Sequence, residues 1–491
     1  MLDSTRLFER VTMKIQIIAV FILIILSFML GAFISQFISF KKEKPIVREP
    51  LTPEESRLTY TPLPAPKFPF DKIMQMWSVM KKITTPKIEK ITDDIYTARG
   101  FSFGNAQMII TKQGIVIIDS TESPEAADKI LKEFRKISDK PIRYLIYTHA
   151  HIDHIQGTPV FMKDQPEIIA TQDFVKFLKK DFVELREFQE RARLNQAGQS
   201  AIEFARELPR KSPINVVYTE DEPIGPTITF DKEYKFTLGE KSFELYHTAG
   251  ETPDHLMVWL PEERALFCGD LYYNSFPNLS TPMLESRAVK EWYESINHMI
   301  NLKPAYLLPN HADAVSGENQ IHEILTNYRN AIKFVFEKTL QCINNGKTVD
   351  EAVRLVKLPD ELSKLQYLKE VYGRVEWSVR GIYQGIIGWY DGKGTKLNPL
   401  PPSICARELV VLSGGADKIL SRAIEVQKSG EHQLACELCD IVITANPNDK
   451  LAHSIKASSL EYIGYNSENL NMFGFYRSAA SLERKAAGIK P

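Results

Sequence analysis

Four side chains of metal-binding type occur within six positions of the sequence, in the pattern H-x-H-x-D-H: His149, His151, Asp153 and His154. The 491-residue chain contains only ten histidines, so three of them in one short segment is a specific signal. Imidazole nitrogens and carboxylate oxygens are ligands that zinc prefers. On an irregular loop, alternate residues can face one metal ion while the Asp-His pair faces a second one. Two metal ions that share one water lower its pKa and deliver hydroxide at neutral pH, so the segment predicts a hydrolytic metal centre.

Other residues of ligand type follow apolar runs elsewhere in the chain. The runs GIVII, RALFCG and AYLLPN end at Asp119, Asp270 and His311, and the stretch YHTAGETPDH carries Glu251 and His255. The first motif itself follows the apolar run YLIY. Buried strands bring the residues at their ends to the loops along one edge of a sheet. We therefore expect these residues to share one site with the H-x-H-x-D-H segment.

The spacing of apolar residues predicts how the chain is divided. Short apolar strands alternate with helical stretches over residues 87–333, which predicts an α/β domain. Strand signals vanish after that point, so residues 334–491 predict an all-helical domain. Within this domain, a helix, an Asn446-Pro447 turn and a second helix are typical of a TPR-like helical hairpin.

The N-terminal part of the chain predicts a membrane anchor. After a flank of residues 1–14, no charged residue occurs from Ile15 to Phe40. About 20 apolar residues span a bilayer, so residues 15–40 predict a single transmembrane helix. An uncleaved anchor is favoured over a signal peptide, because the run is long and lacks a small-residue cleavage site. Residues 41–86 carry seven prolines before Phe70, which predicts an extended spacer.

Composition excludes some classes of protein. The net charge is -1 and basic residues form no long run, which argues against a nucleic-acid partner. The five cysteines are scattered and odd in number, so they do not indicate a disulfide framework. The C-x-x-C pair of Cys436 and Cys439 is predicted to be two neighbours on a packed helix.

In this order, the motifs resemble those of the metallo-β-lactamase superfamily, an αββα sandwich with its metals at the edge of the two sheets. The usual third motif of the superfamily is G-H-T-P-G-H, whereas Gly250–His255 reads G-E-T-P-D-H. A glutamate at the ligand position resembles the alkylsulfatase branch (linear primary-alkylsulfatases, or type III sulfatases), which hydrolyses alkyl sulfate esters. Residues Leu368–Pro402 and the stretch LSGGADKILSRA resemble the helical dimerisation domain of that branch, which implies a homodimer.

The resemblance implies two zinc ions per chain and a role for each site residue. The implied ligands are His149, His151 and Glu251 for one zinc, Asp153, His154 and His311 for the other, and Asp270 as the bridge. Asp153 would also orient the attacking water and take up its proton. Asp119 and His255 would orient ligands, as the outer hydrogen-bond partners of metal sites do.

Two departures from the branch concern the bridge and the substrate. The bridging residue is Asp270, where the alkylsulfatases are expected to carry glutamate. Met283 stands where they are expected to carry a sulfate-holding arginine, and methionine cannot donate hydrogen bonds. Thr281 and Arg287 are the candidate substrate contacts that are left.

The sequence thus predicts a membrane-anchored dizinc hydrolase that cleaves alkyl sulfate esters to alcohol and sulfate. An alternative is the same fold acting on a lactone, a thioester or a phosphodiester, which Met283 favours. A further alternative is a non-catalytic, membrane-tethered dimer, although a purely structural zinc site usually holds one closed zinc ion. Attack at sulfur or at carbon is left open, and so is the orientation in the membrane, because basic residues flank both ends of the anchor. Alkyl sulfate detergents are best met outside the cytoplasm, so we expect the catalytic part to be extracytoplasmic.

Overall fold

The structure is a computed structural model, and it describes residues 58, 60–63, 66–80, 86–198, 223–284 and 287–489. The predicted flank of residues 1–14 and the predicted anchor of residues 15–40 lie outside the described residues. Among the described ranges, no helix is both long enough and apolar enough to cross a membrane.

The first sheet has seven strands that follow one another in chain order. They are β1 (Lys87–Lys90), β2 (Ile95–Arg99), β3 (Ala106–Thr111), β4 (Gly114–Ile118), β5 (Ile142–Ile146), β6 (Glu167–Thr171) and β7 (Ile228–Phe230). Strands β1 to β4 pair antiparallel, whereas β4 to β7 pair parallel. The parallel strands are joined through helices, as crossover connections require.

The second sheet has six strands in the order β13-β12-β11-β10-β9-β8. They are β8 (Glu233–Leu238), β9 (Lys241–His247), β10 (Leu256–Leu260), β11 (Ala265–Gly269), β12 (Tyr306–Pro309) and β13 (Val315–Ser316). All neighbours pair antiparallel except β11 and β12, which run parallel.

Sixteen α-helices occur in the described part of the chain. They are α1 (Phe70–Met80), α2 (Pro124–Arg135), α3 (Ile152–Ile155), α4 (Thr158–Phe161), α5 (Gln172–Lys179), α6 (Arg186–Arg193), α7 (Val289–Asn301), α8 (Glu318–Asn344), α9 (Val349–Leu355), α10 (Asp360–Ser363), α11 (Val375–Ile387), α12 (Pro402–Leu412), α13 (Ala416–Lys428), α14 (His432–Ala445), α15 (Lys450–Asn466) and α16 (Leu470–Ala486). Shorter 3-10 turns cover Met162–Asp164, Gln366–Leu368 and Gly394–Lys396, and π-helical turns cover Lys180–Glu184 and Leu194–Gly198.

The two sheets pack face to face, because successive strand residues point to opposite sides. In β4, Val116 joins the core between the sheets, together with Leu245 and Phe267 of the second sheet. Its neighbour Ile117 faces the other way, into a core shared with α2, α4 and α5. The outer face of the second sheet is covered by α7 and α8. The αββα sandwich expected from the resemblance is confirmed.

Helix α2 shows how the sequence builds one of these covering layers. Ser123 caps it by accepting a hydrogen bond from Ala126 N at 3.2 Å, and Pro124 opens it, where its missing N–H costs nothing. Ile130 and Phe134 lie one turn apart and are both buried against the sheet.

The predicted domain boundary between residues 333 and 334 falls inside α8. Helix α8 therefore belongs to both the α/β part and the helical part of the chain. One side of α8 packs on the second sheet and the same core includes Val375 and Val379 of α11. The two predicted domains therefore share a helix and a core. The predicted helical hairpin consists of α14 and α15, and Asp449 caps α15 at Ala452 N over 2.9 Å.

The predicted spacer covers residues 41–86, and its last part is not the extended chain that was expected. It forms helix α1, which contains no proline and buries Ile73 and Met76 against Val371 and Phe473 of the helical part. Upstream, Tyr60 OH lies 3.0 Å from Gln427 Oε1 and 2.7 Å from Ser458 Oγ. Residues 70–80 have apolar side chains at helical spacing, so they form a helix although the residues before them are rich in proline.

Candidate metal centre

The predicted ligands meet at one edge of the sandwich because two pairs of parallel strands end there. β4 runs parallel to β5, and β11 runs parallel to β12. Asp119 follows β4, His149 follows β5 by three residues, Asp270 follows β11 and His311 follows β12 by two residues. Asp153 and His154 lie on the short helix α3.

The ligand atoms form two clusters with a common member. One atom each of His149, His151 and Asp270 lies within 4.8 Å of the others, and the same holds for Asp153, His154 and His311. Asp270 Oδ2 also reaches the second cluster, at 3.4 Å from His154 Nε2 and 3.1 Å from His311 Nε2. The structure therefore brings all six residues together and places Asp270 between the clusters.

Glu251 lies beside the first cluster. Its Oε1 is 3.9 Å from His151 Nδ1, and its side chain is almost fully buried. The residue before it, Gly250, is closely packed: a Cβ there would lie 2.6 Å from Leu271 Cδ2 and 3.1 Å from Trp292 Cγ, so these side chains would have to shift. Close packing of the backbone thus presents Glu251 to the cluster.

Buried polar atoms without hydrogen-bond partners indicate that these side chains are suited to bind metal ions. Within the described ranges, His154 Nε2, Glu251 Oε2 and Asp270 Oδ1 are buried and have no hydrogen-bond partner. Buried polar atoms are nearly always hydrogen-bonded, so three orphans in one place call for a bound group. Imidazole and carboxylate donors are the ligands that zinc takes.

The charges of the cluster shift the pKa values of its members in opposite directions. Burial lowers the pKa of His311, but Asp270 and Asp153 outweigh burial and raise it to about 10. Burial lowers the pKa of His151 to about 4. Burial raises the pKa of Glu251 to about 8, although Arg287 opposes the shift. Because metal ligands must be neutral imidazole or carboxylate, metal ions compete with protons at this centre.

Asp119 is positioned to hold His154. Its Oδ1 accepts a hydrogen bond from Thr148 N at 2.8 Å, and its Oδ2 accepts one from Thr148 Oγ1 at 2.7 Å. The same Oδ2 lies 2.8 Å from His154 Nδ1 and accepts from Asn310 Nδ2 at 2.5 Å. The carboxylate thus fixes the ring so that Nε2 faces the cluster.

His255 contacts the backbone of the residue predicted to bridge the metals. Its Nε2 accepts a hydrogen bond from Asp270 N at 3.0 Å. Gly269 makes room for this contact, because a Cβ there would lie 2.5 Å from His255 Nε2 and its φ is +49°. His247 instead holds two backbone carbonyls, with Nδ1 at 2.9 Å from Asp231 O and Nε2 at 2.6 Å from Pro253 O.

Asp254 is a site residue that the sequence reasoning missed. Its Oδ2 accepts a hydrogen bond from Ala150 N at 2.8 Å, between the ligands His149 and His151. Burial raises the pKa of Asp254 to about 6. The available signal was the aspartate in G-E-T-P-D-H, where the usual motif has glycine.

The candidate substrate contacts occupy different positions. Thr281 is buried, and its Oγ1 has no hydrogen-bond partner in the part of the chain that the structure describes. Arg287 Nη1 lies 2.8 Å from Glu251 Oε1, so it reaches the centre. Met283 is 36% exposed and has a φ of 60°.

Two tyrosines also adjoin the centre, and neither was predicted as a site residue. The ring of Tyr273 lies 6.2 Å from that of His311 and 5.6 Å from that of Tyr372. Burial and the neighbouring carboxylate of Glu251 raise the pKa of Tyr372. Tyr372 precedes α11, so the helical part of the chain contributes a side chain to the surroundings of the centre. No local pattern indicates this, because the contact joins residues far apart in sequence.

Comparison with protein families gives two matches. Residues 99–311 match the metallo-beta-lactamase superfamily, and residues 348–486 match the alkyl sulfatase dimerisation family. Among characterised proteins, a linear primary-alkylsulfatase from Pseudomonas sp. is 33% identical over 405 residues, which cover 78% of this chain and 74% of the relative. An alkyl/aryl-sulfatase from Saccharomyces cerevisiae is 27% identical over 401 residues, covering 77% of this chain and 61% of that protein.

A solved structure shows the same fold. The stereoselective inverting sec-alkylsulfatase from Pseudomonas sp. aligns with a TM-score of 0.74 and 24% identity, covering 85% of this chain and 68% of that chain. The resemblance noted from the motifs and the tail is thereby confirmed. The chain belongs to the alkylsulfatase family of the metallo-beta-lactamase superfamily, and it is a metal-dependent sulfuric ester hydrolase with a helical dimerisation domain.

Proposed function

We propose that the protein hydrolyses alkyl sulfate esters to an alcohol and inorganic sulfate at a centre of two zinc ions. The observation that carries the proposal is the pair of ligand clusters that meet at Asp270. The relatives support the substrate class, since four of them are named as alkylsulfatases or alkyl/aryl-sulfatases.

The chain's own residues suit the two metals. His149, His151 and Glu251 would hold one, Asp153, His154 and His311 the other, and Asp270 would contact both. Bound zinc would supply the charge that lowers the pKa of a water molecule and makes it a nucleophile at neutral pH.

Asp153 is the residue proposed to orient the attacking water and take up its proton. Its Oδ2 lies 3.2 Å from His311 Nε2 and 3.7 Å from His154 Nε2, and its side chain is 28% exposed. Burial raises the pKa of Asp153, but His154 and His311 outweigh burial and lower it. An ionised carboxylate at this place accepts a hydrogen bond from water.

The sulfate group of the substrate would contact uncharged hydrogen-bond donors. Within residues 273–281, three buried residues have side-chain polar atoms without a hydrogen-bond partner in the described part of the chain: Tyr273 OH, both amide atoms of Asn278, and Thr281 Oγ1. Asn278 is linked to the centre through its carbonyl, which accepts from Arg287 Nη1 at 2.7 Å. Hydroxyl and amide donors can bind the oxygens of a sulfate ester without a full positive charge.

One observation favours a second candidate, hydrolysis of a lactone, thioester or phosphodiester. No arginine stands at position 283, and Arg287 is engaged with Glu251. A site without a free guanidinium has a weaker preference for a charged anion over a neutral ester, so within this group the observation favours a lactone or a thioester.

Sulfate release from dodecyl sulfate tests the proposal. The full chain, loaded with zinc, should release inorganic sulfate, and a His149→Ala/His151→Ala double variant should not. Hydrolysis in isotopically labelled water shows which bond breaks, since the label enters sulfate after attack at sulfur and the alcohol after attack at carbon. A protein that holds two zinc ions per chain and cleaves other esters but not dodecyl sulfate would establish the second candidate instead.

We also propose that the protein acts as a homodimer. All residues from 384 to 402 are exposed, and they include Trp389 at 71%, Leu397 at 61% and Leu400 at 62%. Exposed apolar side chains grouped in one segment are typical of a protein interface. The segment lies inside the match to the dimerisation family, so a second copy of this chain is the proposed partner.

The predicted membrane anchor remains a proposal. The uncharged run of residues 15–40 supports a single-pass protein, and the substrate class supports an extracytoplasmic catalytic part. Protease protection of the C-terminal part in intact cells tests both. Digestion from outside is expected, and full protection until lysis would place the catalytic part in the cytoplasm.

A further inference from the structure

Three contacts fix the side chain of Arg287 beside the metal centre. Its Nη1 lies 2.8 Å from Glu251 Oε1, and the two side chains are only 7% and 4% exposed. The same nitrogen donates to Asn278 O at 2.7 Å. The guanidinium carbon lies 5.9 Å from the centroid of the Trp292 ring. Few orientations are open to a guanidinium held in this way.

The two oxygens of Glu251 have different surroundings. Oε1 contacts Arg287, whereas Oε2 is buried and has no hydrogen-bond partner among the residues that the structure describes. An arginine stays charged at every physiological pH, so Arg287 attracts the ionised Glu251 carboxylate throughout that range. The carboxylate is thus held by one oxygen while the other is left available.

We propose that Arg287 is a positioning residue, which holds the Glu251 carboxylate in place for the metal shared with His149 and His151. The proposal rests on the two-metal centre described above. Outer partners of this kind set the orientation and affinity of metal ligands. In the rival role, the remaining N–H groups of Arg287 grip the sulfate of the substrate.

Zinc binding without substrate separates the two roles. The full-length protein and its Arg287→Gln and Arg287→Lys variants are titrated with zinc against a chromophoric chelator. In Arg287→Gln, one of the two zinc ions should bind about 10- to 100-fold more weakly, the usual loss for an outer partner of a ligand. Arg287→Lys, which keeps the charge, should recover part of this loss.

The same substitution in a Glu251→Ala variant shows whether Arg287 affects zinc affinity through Glu251. In a Glu251→Ala variant, adding Arg287→Gln should cause no further loss of zinc affinity, because the partner of the arginine is already gone. Arg135→Gln is the matched control. It removes another arginine-carboxylate pair, with Asp164, that contacts none of the ligands, and zinc affinity should not change.

Kinetics at saturating zinc complete the test. For the positioning role, the KM for dodecyl sulfate changes by less than about twofold and kcat recovers as zinc is added. Unchanged zinc affinity together with a KM raised about tenfold or more would overturn the proposal and assign Arg287 to the substrate. If Arg287→Gln does not fold, Arg287→Lys carries the same comparison. If the wild type does not hydrolyse dodecyl sulfate, the substrate assignment fails, while the zinc titration still decides the role of Arg287.

Discussion

At the scale of single residues, the centre is built from ligands and from the partners that orient them. His154 can face the cluster with Nε2 only because Asp119 holds its other ring nitrogen at 2.8 Å. Asp119 is fully buried and accepts four hydrogen-bond contacts from Thr148, His154 and Asn310. Its backbone lies in the left-handed region, with a φ of 58°. Such strain persists where the surrounding contacts fix the conformation.

Replacing Asp119 with asparagine should weaken zinc binding. The variant keeps the shape of the side chain but removes the charge and one acceptor that face His154. We expect the affinity of the second metal position to fall about 10- to 100-fold, as for other outer partners of histidine ligands. Chelator competition measures the change, and an Asp164→Asn variant is the control. Equal zinc affinity in wild type and Asp119→Asn would contradict the role of Asp119.

At the scale of elements, the helical part helps to build the catalytic site. The backbone of residues 369–373 bonds to Phe276 of the catalytic part, through Phe276 N to Lys369 O at 2.9 Å and Gly373 N to Phe276 O at 3.2 Å. From the other side, Asn469 Nδ2 donates to Tyr372 O at 2.9 Å and to Glu370 O at 2.8 Å. The start of α16 thus fixes the segment that carries Tyr372 beside the metals.

An Asn469→Asp variant tests this connection. It keeps the oxygen that caps α16 at Met472 N but loses the two donors to the backbone of residues 370–372. We expect kcat for sulfate ester hydrolysis to fall about tenfold at unchanged zinc content, and stability to fall by about 1–3 kcal/mol from the unsatisfied carbonyls. The exposed Asn466→Asp is the matched control. Full activity of Asn469→Asp would show that Tyr372 needs no support from α16.

A pH-dependent contact joins α2 to the first sheet. Asp164 accepts a hydrogen bond from Ile142 N at 2.9 Å at the start of β5, and it pairs with Arg135 near the end of α2. Burial raises the pKa of Asp164, but the Ile142 amide and Arg135 outweigh burial and lower it. A lowered pKa in the folded state means that the contact stabilises above the unfolded pKa and is lost as the pH falls below it.

Asp164→Asn should therefore destabilise the protein in a pH-dependent way. At pH 7 the loss should be about 1–2 kcal/mol, because a charged acceptor is replaced by a neutral one. The difference should shrink as the pH falls below about 4, where wild-type Asp164 also takes up a proton in the unfolded chain. Urea denaturation at a series of pH values measures it. A difference that is independent of pH would mean that the carboxylate charge contributes nothing.

At the scale of the whole molecule, one segment of the helical part exposes apolar side chains to solvent. Trp389 and Leu412 are 71% and 81% exposed, and apolar residues recur between them. A second copy that covers this segment would contribute to the buried surface that a stable interface needs, about 1,200–2,000 Å² of total accessible surface.

Charged residues in that segment should prevent association. We expect a Leu397→Asp/Leu400→Asp double variant to be monomeric, because burying two carboxylates in an apolar interface is unfavourable. Light scattering of the full chain in a non-ionic detergent measures the mass. A Lys393→Asp variant introduces a carboxylate in the same segment, in place of a positive charge and without removing an apolar side chain, and it should stay dimeric. A dimeric mass for the double variant would place the interface elsewhere.

The residues of the centre and the class of the fold could be predicted from the sequence alone. The H-x-H-x-D-H spacing and the carboxylates and histidines after apolar runs predicted six residues that the structure brings together. This was possible because ligand type and strand-end position are local properties. The alternation of strands and helices up to α8, and of helices alone after it, was local as well.

The partner of each buried polar group, in contrast, follows only from how the elements pack in three dimensions. Arg287 pairs with Glu251, Asp254 holds the amide of Ala150, and Tyr372 comes to the centre from the helical part. Helix α1 packs on that part where the prolines predicted an extended spacer. These contacts join residues far apart in the chain, and their energy depends on burial and distance, which arise only when the elements pack.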